Sequence, residues 1–178
     1  MRPLTILAAL ALLATPLPTL AGGHGKAKTA AASLKNGDGK DVGSVTLTQT
    51  PNGVLLVADL TGLPAGAHGF HIHAVGKCDA PDFKSAGGHF NPTDAEHGHL
   101  VEGGPHAGDM PNIHVPDSGD LKVEVLNTMV SLEEDGEGYL FDGDGSAMMI
   151  HSGADDYESQ PSGDAGSRIA CGVVETGM

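Results

Sequence analysis

Two runs of β-forming residues joined by a tight turn constrain this chain more than any other feature. Ser44 to Thr50 alternates in polarity, with Val45 and Leu47 on one face, and Val54 to Leu60 is rich in valine and leucine. Pro51-Asn52-Gly53 between them is a turn signal, so the two runs are expected to pair as a hairpin. Gly69 to Val75, Leu121 to Leu126 and Ala147 to His151 are further strand candidates, and no long stretch carries helical periodicity. Many short strands and 27 glycines point to an all-β sandwich or barrel.

Two segments resist strand assignment. Gly76 to about Pro116 and Ser152 to Ser167 are rich in Gly, Pro, Asp and Ser. Long loops in a compact domain are usually functional or disordered. Five of the ten histidines lie in the first of these loops, which favours function.

The start of the chain reads differently. Arg2 precedes an almost unbroken apolar run from Leu4 to Leu13, which Pro16 and Pro18 end. Thr19-Leu20-Ala21 then offers small residues suited to a signal peptidase. Residues 1–21 are therefore expected to be a secretory signal peptide, too short for a comfortable membrane span. Export would place the protein in the periplasm or another extracytoplasmic compartment. Residues 22–29 read as a flexible lead-in, and 30–178 as the functional domain. Cleavage after Ala21 would leave 157 of the 178 residues and, with Arg2 gone, turn the net charge from −14 to −15. Arg168 would be the sole arginine. Such acidity argues against nucleic acid and against anionic membrane surfaces as partners. The cysteines number two, Cys78 and Cys171, and in an exported chain an even pair is more often a disulfide than two thiols. A mature start at Gly22-Gly23-His24 would also offer a square-planar nitrogen site suited to Cu(II).

The histidines carry the chemistry. His71 and His73 lie two apart, so on a strand both imidazoles face one way while Phe70 and Ile72 face the core. That pair is half of a metal site. His89, His97, His106 and Asp109 offer three imidazoles and a carboxylate, enough to fill a tetrahedral zinc shell. His151 stands far along the chain, sharing a strand face with Met149. His99 competes with His97 for the place in the zinc set.

Four blocks now bear on one family: His68-Gly69-Phe70-His71-Ile72-His73, Gly87-Gly88-His89-Phe90-Asn91-Pro92, Gly104-Pro105-His106-Ala107-Gly108-Asp109 and Gly166-Ser167-Arg168-Ile169-Ala170-Cys171-Gly172. They resemble the Cu,Zn superoxide dismutases, of the bacterial exported type. The steps from His89 to His97 to His106 to Asp109 are 8, 9 and 3 residues, which fits that family's zinc loop. The resemblance runs from about Ala30 to Val174.

The resemblance implies a Greek-key β-barrel or sandwich with two long functional loops. It implies a copper ion held by His71, His73, His89 and His151, and a zinc ion held by His89, His97, His106 and Asp109. His89 would bridge the two metals, release reduced copper, take a proton on the freed nitrogen and pass it to the nascent peroxide. Arg168 would dock the superoxide anion. Asp155 would link His71 to His97, His68 would be a buried structural histidine, and Cys78 would bond to Cys171. A homodimer is compatible with the family, whose members pair through different surfaces or stay monomeric. In many eukaryotic relatives the loop before the arginine carries lysine and glutamate thought to guide the anion. Here Ser152 to Ser167 has no lysine and holds Asp155, Asp156, Glu158 and Asp164. Lys77 and Lys84 are the nearest alternatives. The rival readings are a copper-delivering protein without turnover and a metal-free sandwich.

Overall fold

The computed structural model describes residues 28–177. The expected signal peptide, nearly all of the expected lead-in and the Gly22-Gly23-His24 motif lie outside those residues.

Among the described residues ten strands form in chain order: β1 Thr29–Asn36, β2 Asp41–Thr50, β3 Gly53–Leu60, β4 Gly66–His68, β5 Phe70–His73, β6 Ile113–Val115, β7 Leu121–Asn127, β8 Ala147–His151, β9 Arg168–Val173 and β10 Glu175–Thr176. The main sheet runs β5-β8-β9-β1-β2-β3-β7, with β10 on β1, and a small second sheet pairs β4 with β6. Every pairing of named strands is antiparallel. The neighbours β1 with β9 and β3 with β7 are far apart in sequence, as a curled Greek-key barrel requires. The expected hairpin forms as β2 and β3, with Thr50 opposite Gly53 across the turn.

Alternation decides the core. Ala30, Ala32 and Leu34 of β1, Val45 and Leu47 of β2, and Val54, Leu56, Ala58 and Leu60 of β3 are buried on one face. Each fully buried leucine or valine is worth about 1.5–3 kcal/mol of transfer free energy. β8 is buried on both faces. Met148 and Ile150 enter this main core, while Ala147 and Met149 join Phe83, Ala86 and Cys171 in a smaller cluster.

Three expectations change. Strand β1 begins at Thr29, so the last residue expected in the lead-in is already paired. The candidate strand from Gly69 to Val75 is confined to Phe70–His73, because Gly69 separates it from β4. The first long loop holds β6 and a one-turn 3-10 helix, Lys84–Ala86. The late loop contains no strand among its residues 152–167.

Candidate metal centre

Strand β5 presents two histidines, and its flanks supply the rest. β8 pairs with one edge of β5, which brings His151 alongside. Loop backbone covers the other edge: the Ile72 N–H donates to the Gly108 carbonyl at 2.9 Å, and the Phe90 N–H donates to the Ile72 carbonyl at 2.8 Å. Those bonds set Asp109 opposite His71 and His89 opposite His73.

Two groups of potential ligands result. His71, His73, His89 and His151 form one, and His89, His97, His106 and Asp109 form the other; within each, the donor atoms lie within 4.8 Å of one another, and all seven residues are buried. In the first, His73 Nε2 lies 3.4 Å from His151 Nε2. In the second, Asp109 Oδ1 accepts from His89 Nδ1 at 2.8 Å, and Asp109 Oδ2 lies 3.0 Å from His97 Nδ1.

The donor atoms fit metal ions. His71 Nδ1, His89 Nε2, His97 Nδ1 and His106 Nδ1 are buried with no hydrogen-bond partner. An orphaned buried polar atom costs about 1–3 kcal/mol; His71 Nδ1 and His89 Nε2 belong with the first group and His97 Nδ1 and His106 Nδ1 with the second, so each group calls for a partner of its own. His97 Nδ1 and His106 Nδ1 sit 3.0 and 3.4 Å from Asp109 oxygens yet are not aligned to donate to them. The far nitrogens are anchored: His71 Nε2 meets Asp155 Oδ2 at 2.8 Å, His97 Nε2 meets Asp155 Oδ1 at 3.0 Å, and His73 Nδ1 meets the Gly87 carbonyl at 3.0 Å. Such outer partners fix ring orientation and tautomer in metal sites.

Burial favours the neutral form of His71, His73, His106 and His151. It lowers His71 to about 4 against the raising effect of Asp155, lowers His151 to about 3, and holds His73 and His106 below the ordinary histidine value. Burial alone would raise the carboxyls. In Asp109, hydrogen bonds from His89 and the Gly98 N–H reverse that and hold it well below the usual range. In Asp155, hydrogen bonds from His71, the Tyr157 N–H and His97 bring it to about 2.

His73, His89, His106, His151 and Arg168 line a cavity of about 400 Å³ beside the first group. The Arg168 guanidinium donates to the Phe83 carbonyl at 2.7 Å and to the Gly87 carbonyl at 2.6 Å. Cys78 and Cys171 are disulfide-bonded, which ties the start of the first long loop to β9.

The sequence profile described as copper/zinc superoxide dismutase (SODC) matches residues 42–174. The chain belongs to that family. It is 52% identical over 145 residues to "Superoxide dismutase [Cu-Zn] 1" of Aquifex aeolicus, covering 81% of this chain and 86% of that one. It is 44% identical over 149 residues to "Superoxide dismutase [Cu-Zn]" of Caulobacter vibrioides, covering 83% and 86%. Among solved structures, a SOD-like protein from Bacillus subtilis superposes with a TM-score of 0.78 at 40% identity, over 80% of this chain and 96% of that one. This superoxide dismutase is an oxidoreductase that converts superoxide to dioxygen and hydrogen peroxide, with copper and zinc ions as cofactors. The two ligand groups fit a copper and a zinc site that share His89.

In this dismutase the structure brings the expected site residues together, with His99 and His68 placed apart from the two groups. His99 is exposed, its ring 5.6 Å from that of Tyr157, and stands outside both groups. His68 is buried, with ring nitrogens 2.8 Å from the His151 carbonyl and 2.9 Å from the Pro64 carbonyl. Sequence reasoning missed Asn112 and Gln160, which bind backbone groups of Asp155 and His97. Nothing in their local sequence signals those partners.

Proposed function

We propose that His71, His73, His89 and His151 hold the copper ion, that His89, His97, His106 and Asp109 hold the zinc ion, and that Arg168 docks superoxide. His89 carries the assignment. Its Nδ1 meets Asp109 in one group, while its Nε2 is buried without a partner in the other, so one imidazole can serve two ions. Copper, when bound, supplies a one-electron couple that superoxide can reduce and reoxidise, whereas zinc has none.

The remaining work falls to the protein. Two of the five guanidinium N–H donors suffice for the Phe83 and Gly87 carbonyls, which leaves others for an anion in the cavity. His89 Nε2 holds a proton when free and hands it to the departing peroxide. Its Nδ1, engaged with the Asp109 group, keeps the ring in place as it does so. Asp155 locks the orientation of His71 and His97 together. His68 supports the strand ends around His151 through the His151 carbonyl.

Residues 1–21 complete the reading as a secretory signal, with 22–29 as a lead-in to a dismutase domain over 30–178. The disulfide supports an oxidising, extracytoplasmic location, and the acidic surface supports a protein without nucleic-acid or membrane partners. The decisive experiment is metal analysis with a superoxide assay on variants. His151→Ala should lose copper and activity while keeping zinc, and His106→Ala should lose zinc first. Full activity in His151→Ala would overturn the copper assignment.

A further inference from the structure

Two side-chain amides tie the long loops together at the zinc group. Gln160, in the late loop, reaches His97 in the first loop. The His97 N–H donates to Gln160 Oε1 at 2.8 Å, and Gln160 Nε2 donates to the His97 carbonyl at 2.8 Å. Asn112 makes the reverse contact. The Asp155 N–H donates to Asn112 Oδ1 at 2.8 Å, and Asn112 Nδ2 donates to the Asp155 carbonyl at 2.8 Å. Each amide thus satisfies both backbone groups of a single residue on the opposite loop.

The Asp155 side chain closes the circuit through its 3.0 Å contact with His97 Nε2. Gly163 packs over this junction at φ +69°, where a Cβ would collide with Asp155 Oδ1, so the site depends on a bare backbone there. Asp155 fixes the His97 ring but leaves the torsions between ring and main chain free. Gripping the main chain at both its polar groups removes that freedom. Pro161 and Ser162 follow Gln160 directly and line the cavity that Arg168 enters, so the same grip connects a wall of the substrate cavity to the zinc group.

We propose that Gln160 is a positioning residue that locks the His97 backbone to the late loop, so that the zinc group and the cavity wall hold one another in place. The proposal rests on the assignment of His97 to zinc. Its test uses the full protein loaded with copper and zinc, comparing wild type with Gln160→Ala and Gln160→Glu. The readouts are zinc release to a colorimetric chelator and site-resolved amide hydrogen exchange. Gln160→Ala should release zinc about tenfold faster and expose the His97 N–H to exchange, together with amides of residues 156–163. The amides of β2 and β3 should be unchanged. Gln160→Glu keeps the acceptor for the His97 N–H and loses the donor to its carbonyl, so it should retain most of that protection and release zinc at an intermediate rate. Unaltered zinc release with an unaltered His97 amide would overturn the proposal. So would faster exchange throughout the barrel, which would make Gln160 a general stability residue. Zinc content in His97→Ala reads the ligand assignment separately: zinc retained there would undo that assignment, while the His97 amide in Gln160→Ala still reports on the grip.

Discussion

Arg168 is the single arginine among the described residues, and its two carbonyl contacts aim it into the cavity. Replacing it with alanine removes a charge-assisted contact worth on the order of 1.5–3 kcal/mol. Arg168→Ala should therefore keep both metals and lose roughly tenfold to a hundredfold in activity; unchanged turnover in the fully metallated variant would refute its role. The buried histidines give a second residue-scale prediction, for the metal-free protein. His71 and His151 titrate near 4 and 3 in the fold, against 6.5 for an ordinary histidine. Between those values the unfolded chain binds more protons than the folded one, so stability falls as pH falls. Asp155, lowered from 3.8 to about 2, adds a loss of the same sign at lower pH. The melting temperature of the metal-free protein should be level above pH 7 and decline steadily from about 6.5 to 4. Calorimetry showing no decline would contradict this.

At the scale of elements, β5 acts through its two covered edges. β8 on one side and the Phe90 and Gly108 backbone on the other bring both long loops to one strand. The disulfide adds a covalent tie between the first loop and β9 across 93 residues of sequence. Closing a loop of that length contributes about 4–5 kcal/mol by chain entropy, and losing a native disulfide commonly costs about 2–5 kcal/mol. The tethered segment includes Phe83 and Gly87, whose carbonyls hold Arg168. The double variant Cys78→Ala/Cys171→Ala should therefore unfold at lower denaturant and also lose activity while still folded. Loss of stability alone, with native turnover, would show that the Arg168 contacts survive without the bond.

Across the whole molecule, charge governs the rate of encounter with an anion. The net charge of −14 opposes superoxide, and the exposed acids of the late loop include Asp156, Glu158 and Asp164. Lys84 stands near Arg168 at the protein surface, but its ammonium lies 2.9 Å from the Asp82 carboxylate, which offsets much of its field. Favourable steering appears as a rate that falls when salt screens it, and a superoxide dismutase is one of the established cases. Here the rate should change little with ionic strength or rise. Stopped-flow rates that fall steeply with salt would assign a steering field to Lys77, Lys84 or a partner subunit.

The hairpin of β2 and β3 was readable because alternating valine and leucine records which side of a strand is buried, and a turn signal fixes the register. The two clusters of candidate ligands were readable because imidazole and carboxylate are donors suited to metal ions and their order along the chain is a family pattern. Strand β1 was not readable. Ala30 and Ala32 carry little strand preference, and the segment is a strand because β2, β9 and β10 pair with it. The same holds for β6, three residues in a loop that become a strand only against β4. Gln160 and Asn112 were invisible for a further reason. Their partners lie 63 and 43 residues away, and they bind backbone N–H and C=O groups, which every residue presents alike. Sequence determined which atoms can hold the metals; only the tertiary structure decided what holds those residues still, since that task falls to contacts with no chemical signature along the chain.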